Sequence, residues 1–331
     1  AGGFDANLIH NNVIEILEGS PGGPDGIQGG SGLSIFDNKF LVSRTSLYTS
    51  DQHPDTLQMV GNYLKIYNND FVNVGDSMID LGGAYANQNP HDIWIYNNVF
   101  RIVTPIDPYP EFIRVYANPN FSELHSMTNF KIFNNVFADQ ALGDRNIRPI
   151  VFSDFQGNPT ASGIEIKNNI FLNSGNGSTH PLIMIDPSSG FTANSFSFDG
   201  NVYYHPVTMP YISFRGTKYA AQDWISAFEP KGKVGKPTFL SYTPGDPNND
   251  FRLSSSDTIA KDAGLNLSSY FTKDKNGVNR PQGSAWDIGA YEYVGTTPSP
   301  TSYTLTVAKN GTGTGTVTSN PAGITCGTDC A

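Results

Sequence analysis

The feature that most constrains this chain is a pattern that returns seven times between Leu8 and Tyr203: two apolar residues in alternation, a turn residue, an Asn, and an aromatic or aliphatic residue two places on. It reads LIHNNVI (8–14), LSIFDNKF (33–40), LKIYNNDF (64–71), IWIYNNVF (93–100), FKIFNNVF (130–137), IEIKNNIF (164–171) and FSFDGNVY (196–203). Its shared Asn falls at Asn12, Asn38, Asn69, Asn98, Asn135, Asn169 and Asn201, at spacings of 26, 31, 29, 37, 34 and 32 residues. Self-similarity at such a period marks a stacked repeat. Period-two alternation before the Asn predicts a strand with one apolar face. Asn suits the left-handed backbone of a sharp turn, and the following aromatic opens the next strand pointing inward. Each unit is then one coil of an all-β fold, a right-handed parallel β-helix (a single-stranded solenoid). Coils stack about 4.8 Å apart, which should build an Asn ladder and a stack of Phe40, Phe71, Phe100, Phe137 and Phe171. The uneven spacing predicts loops of differing length along one side of the helix, including 82–91 and 104–110. Propeller blades and leucine-rich repeats do not call for Asn followed by Phe.

A chain of 331 residues exceeds the usual single compact core, which an elongated repeat accommodates. Only 15% of residues are charged, while 34 Gly and 22 Pro favour short strands and turns over helices. A net charge of −10 and a pI near 4.9 argue against nucleic acid, whose phosphates need clustered Lys and Arg. No apolar run reaches the roughly 18 residues of a membrane span. No signal peptide is visible, and the strand-like NLIHNNVIEI starts almost at once, so the sequence is expected to lack its beginning. Cys326 and Cys330, in CGTDC, read as a short disulfide loop in an oxidising compartment rather than a two-ligand metal site, which implies an extracellular or cell-surface location.

The coil pattern lapses near Tyr204. The stretch from Tyr211 to Tyr293 contains DWISAFEPKGKVGKPTF, NNDFRLSSSDTIAKDAG and RPQGSAWDIGAYEY. Through Asp250, Phe251, Arg252, Leu253, Asp262, Gly264, Arg280, Asp287, Ile288, Gly289, Ala290 and Glu292 it resembles the C-terminal region of many bacterial β-helix proteins of the pectate-lyase-like superfamily. The resemblance implies β-helix coils over 1–210 and an end region over 211–294 that covers the open end. It also implies a carbohydrate partner, because enzymes of that superfamily bind extended glycans along the outer face of the helix. No catalytic signature of a subfamily is evident. Residues 295–302 read as a Pro/Ser/Thr linker. Residues 303–331 resemble the opening of a small β-repeat module of bacterial surface proteins, cut off before it could bury a core.

The segments before each Asn strand are PDGIQ (24–28), HPDTLQ (53–58), DSMID (76–80) and PEFIR (110–114). Aligning Ile27, Leu57, Met78 and Ile113 as inward residues stacks Asp25, Asp55, Asp76 and Glu111 in one outward acidic column. Such proximity calls for a cation, a raised pKa, or both. Three readings stay open. A carboxylate pair could serve glycoside hydrolysis. Asp25, Asp55, Asp76 and Asp80 could hold Ca²⁺ that neutralises a uronate while a nearby base abstracts a proton. Or the acids only cap turns. His53 is the neighbouring proton-transfer candidate, and Arg114, Tyr85 and His91 are candidate substrate contacts. A second outward column, Phe36, Tyr67, Tyr96 and Phe133 beside Lys65, Trp94 and Lys131, offers rings for stacking sugars, with Tyr67, Tyr96 and Trp94 as binding candidates. Its plainer reading is cross-strand packing.

Two functions follow: a polysaccharide lyase or glycoside hydrolase, or a non-catalytic surface, adhesin or filament protein whose rods associate head to tail.

Overall fold

The computed structural model describes residues 4–5, 7–17, 25–43, 55–73, 75–82, 89–104, 110–116, 124–139, 147–153, 158–173, 180–206, 208–295, 317–318 and 325–326. Residues up to Tyr293 form one unit.

That unit is a parallel β-helix of three sheets, visited in turn by every coil. The first sheet holds Asn7–His10, Leu33–Phe36, Leu64–Tyr67, His91–Tyr96, Ser126–Phe133, Ile164–Lys167 and Phe196–Asp199. The second follows after the Asn corner with Val13–Leu17, Lys39–Ser43, Asp70–Val72, Val99–Ile102, Val136–Asp139, Ile170–Asn173, Val202–Tyr204 and Lys233–Val234. The third holds Ile27–Gly29, Leu57–Met59, Ser77–Leu81, Glu111–Tyr116, Arg148–Ser153, Ile183–Ile185 and Tyr211–Phe214, with Thr217–Ala220 closing it as an antiparallel hairpin.

The two residues of the corner divide the work. The first takes the left-handed conformation, with φ between 50° and 57° at Asn11, Asp37, Asn68, Asn97, Asn134 and Asn168. The second builds the ladder. From Asn12 to Asn169 each Nδ2 donates to the Oδ1 of the Asn in the next coil at 3.0–3.1 Å. The same Oδ1 accepts the backbone N–H of the earlier Asn, so the ladder satisfies groups that would otherwise be buried unpaired. Inside the second sheet, Phe40, Phe71, Phe100, Phe137, Phe171 and Tyr203 stack with ring centroids 4.7–5.3 Å apart.

The ladder ends on a carboxylate. Glu229 Oε1 accepts from Asn201 N and Nδ2 at 2.6 and 2.7 Å, and Oε2 accepts from Tyr203 Oη and Trp224 Nε1. Glu229 follows α1 (Ala221–Phe228), which buries Trp224 and Ile225 against the end of the core. Residues 257–293 then run along the side of the helix. The left-handed Asn side chains hold them there: Asn97 donates to Lys273 O, Asn134 to Asp287 O and Gly289 O, and Asn168 to Leu265 O. Among the described residues, no helix is long and apolar enough to cross a membrane. The second unit, from Val294, contains the antiparallel pair Val317–Thr318 and Thr325–Cys326. Cys330, and with it the proposed Cys326–Cys330 disulfide, lies outside the described residues, as does most of the linker.

Candidate functional site

The acids gather on the third sheet, in a register one residue away from the expected one at the central strand. Ile27, Leu57, Ile79 and Ile113 are the partners, so Met78 does not share their row. Ser77, rather than Asp76, therefore stands in the row of Asp25, Asp55 and Glu111, and Asp80 joins the outer row of Gln28, Gln58 and Arg114. The reason is burial. All five residues of Ser77–Leu81 are buried, so the strand carries no alternation from which its facing could be read.

The cluster is also not an exposed column. Asp55, Asp80 and Glu111 are 0%, 1% and 3% exposed, whereas the Asp76 and Arg114 side chains keep 25% and 23%. Asp25 and Asp55 cap strand starts. Asp25 Oδ1 accepts from Asp55 N at 2.9 Å, and Asp55 Oδ1 accepts from Ser77 N at 3.1 Å. Gln28 Nε2 donates to Asp25 Oδ2 at 2.6 Å and to Gln58 Oε1 at 2.9 Å.

Asp55 and Asp80 face one another. Among the described residues, no N–H or hydroxyl donates to either oxygen of Asp80. Ionised, the pair would present only acceptors; a single proton turns the contact into a hydrogen bond. Burial, reinforced by the charge of Asp76, pushes Asp55 well above the usual carboxylate range, and burial with the charge of Asp55 does the same to Asp80. Both shifts favour the protonated form, so the pair holds a proton more tightly than ordinary carboxyls do. Beside it, Arg114 lies 3.6 Å from Asp76 and 3.3 Å from Glu111, and its guanidinium stacks 3.8 Å from the centre of the Tyr116 ring. Burial works against its charge, but Glu111, Asp80 and Asp76 outweigh that and hold Arg114 cationic. Glu111 is also paired with Arg148 at 2.5 Å. Among the described residues, no three His, Cys, Asp or Glu side chains are disposed to hold a metal ion.

Of the other candidates, His53 and Tyr85 lie outside the described residues. His91 sits at the corner leading into the first sheet, its Nδ1 2.8 Å from Asp92 Oδ2 and its ring edge-on to Tyr63. The aromatic column forms in the expected register, extended by His10, as a stack of His10, Phe36, Tyr67 and Tyr96. Phe271, from the segment docked along the helix, covers Tyr96 at 4.6 Å, while Phe4 and Tyr270 lie against Trp94. Lys65 pairs with Asp5, and Lys131 with Glu165 and Gly163 O. Half of this ladder therefore serves as a docking face for the chain itself.

The sequence reading underrated Asp80 and Arg148. One signal was available for Asp80: an acid that follows apolar Met78 and Ile79 within the same strand has few ways to avoid the interior. The chain gives no significant match to any protein-family model, to any curated protein or to any solved structure, so what can be said of its function rests on the site itself.

Proposed function

We propose that the chain is a secreted or cell-surface carbohydrate-active protein that takes an extended polysaccharide along the outer face of the third sheet and hydrolyses it, with Asp80 as proton donor. The observation that carries this reading is the buried, facing Asp55–Asp80 pair beside a cationic arginine and the accessible Asp76, with burial and mutual charge raising the pKa of both members of the pair. General-acid catalysis of glycoside cleavage needs such a proton, delivered to the leaving oxygen. Asp76, on the accessible rim, is the second carboxylate, acting on water or on the positive charge of the sugar. Arg114 holds Asp76 in place and offers a cation to an acidic or hydroxyl-rich substrate. Proton abstraction by a lyase fits less well, since Arg114 is held cationic and the raised pKa of Asp80 favours its acid form over a base. Ca²⁺ enters no step. The likeness of residues 211–293 to the pectate-lyase-like superfamily favours a glycan partner, and bacterial origin is part of the same proposal.

Asp80→Asn is isosteric with the protonated acid and should leave the fold intact while reducing release of reducing ends from a cleaved polysaccharide by about 10²-fold or more, the scale of a lost general acid. Full activity in that variant, or a product absorbing as an unsaturated uronate, would remove the assignment. A rod-like structural role is the second reading. It is favoured by the uninterrupted parallel stacking of the coils through all three sheets, the build of a rigid solenoid. Concentration-dependent sedimentation into long species, with no activity on any glycan, would support it instead.

A further inference from the structure

At the far end of the helix a cavity of about 740 Å³ opens between the last strand of the first sheet, the Tyr211–Ala220 hairpin and the end of α1. Nothing in the acidic site uses it. Its apolar walls are Phe196, Phe198, Phe214, Tyr219 and Phe228. Phe214 stands edge-on to both Phe196 and Phe198, at 85° and 6.0 Å in each case, and Trp224 packs behind Phe198, Phe214 and Phe228. The polar groups of the lining come from Asn194, Ser197, Thr217 and Arg215.

Arg215 is the unusual member. It holds the left-handed conformation (φ 51°) ahead of Gly216, in the turn of the hairpin. Asn, Asp or Gly would meet that demand at lower cost. Its guanidinium has no hydrogen-bond or ion-pair partner among the described residues, whereas Lys65, Arg114, Lys131, Arg148 and Lys167 are each paired with an acid. An unpaired cation beside an aromatic recess is complementary to a molecule with an anionic head and a flat apolar body.

We propose that this cavity binds small aromatic carboxylates, the ring entering among Phe198, Phe214 and Phe228 edge-to-face and the carboxylate taking a two-point contact from Arg215. A sugar acid fits the same charge but not the walls, because phenylalanine rings cannot accept or donate the hydrogen bonds its hydroxyls would give up on entry. Binding here is independent of the chemistry at Asp80.

The probe is 3-phenylpropionate, titrated into the full chain by calorimetry and followed by Trp fluorescence, with 3-phenylpropanol and glucuronate as comparison ligands. Saturable binding of the acid is expected, at least about tenfold tighter than either comparison, the factor carried by one charge-assisted contact. Arg215→Asn keeps a residue suited to the left-handed turn and should weaken the acid at least about tenfold, bringing it to the level of the alcohol. Phe228→Ala should weaken acid and alcohol alike. No saturable heat with the acid, an affinity unchanged in Arg215→Asn, or glucuronate binding as tightly as the aromatic acid would each overturn the proposal.

Discussion

At the scale of single residues, the ladder Asn is defined by having both an acceptor and a donor. Asn135 Oδ1 accepts from Asn98 N and Nδ2, while its own Nδ2 donates to Ile95 O and to Asn169 Oδ1. Asn135→Asp keeps the shape and the first pair of bonds but sets an ionised oxygen against two acceptors in a fully buried position. A loss of about 3 kcal/mol or more is expected at pH 7, from the stranded acceptors and the buried charge. Part of it should return near pH 4, when the acid gains a proton to donate. Urea unfolding at the two pH values checks this; equal losses at both would show that charge and donor count are not what fixes the position. This much was legible in the sequence, since all seven ladder residues were named from the repeat. Glu229 was not. It ends the ladder from the residue after a helix, outside the repeat, and no periodic signal could point to it.

Elements show where pattern reading stops working. Period two identifies a strand only when one of its faces meets water, and Leu64–Tyr67, with alternating burial, was read in the right register. Ser77–Leu81 has both faces covered and its expected register is off by one residue, which puts Asp76 into a row that belongs to Ser77 and leaves Asp80, named only as a possible Ca²⁺ ligand, out of the row of Gln58 and Arg114. The cost of a lost side chain likewise depends on its place in the stack. Phe100 lies between Phe71 and Phe137 and also meets Phe112, whereas Phe40 has one ring neighbour and the partly buried Ile14 on its other side. Phe100→Ala should therefore cost about 4 kcal/mol and Phe40→Ala distinctly less, because an end position can relax into the space. Comparable losses from the two, measured by chemical denaturation, would mean that the stack does not act as a row of neighbours.

Across the whole molecule, five buried acids are shifted in the same direction, upward. Burial raises Glu229 from an ordinary 4.5 to about 7 and Asp287 from 3.8 to about 7. Burial raises Glu292 as well, and Asp55 and Asp80 lie well above the carboxylate range. A folded state that holds these protons more tightly than the unfolded chain gains stability below the unfolded values. It loses that gain as pH rises through the folded ones, between about pH 4 and pH 7 for Glu229 and Asp287. For Glu229 alone the loss is on the order of 3 kcal/mol. Glu165 behaves oppositely: Lys131 and Lys167 overcome its burial and lower its pKa, so its contribution disappears only on acidification below the usual carboxylate range. The two trends place maximum stability at or below about pH 4, the unfolded carboxylate range, and predict a melting temperature that falls from there toward pH 8. A stacked repeat is only as secure as its last interface, and Glu229 sits at that interface. Glu229→Gln keeps an acceptor for Asn201 but has no charge to form, so it should start from a lower melting temperature at pH 5 and lose less between pH 5 and pH 8 than the parent chain. Thermal scans of both proteins across that range decide the point, and a parent melting temperature that stays level or climbs toward pH 8 would show that the buried acids do not govern the stability of the helix.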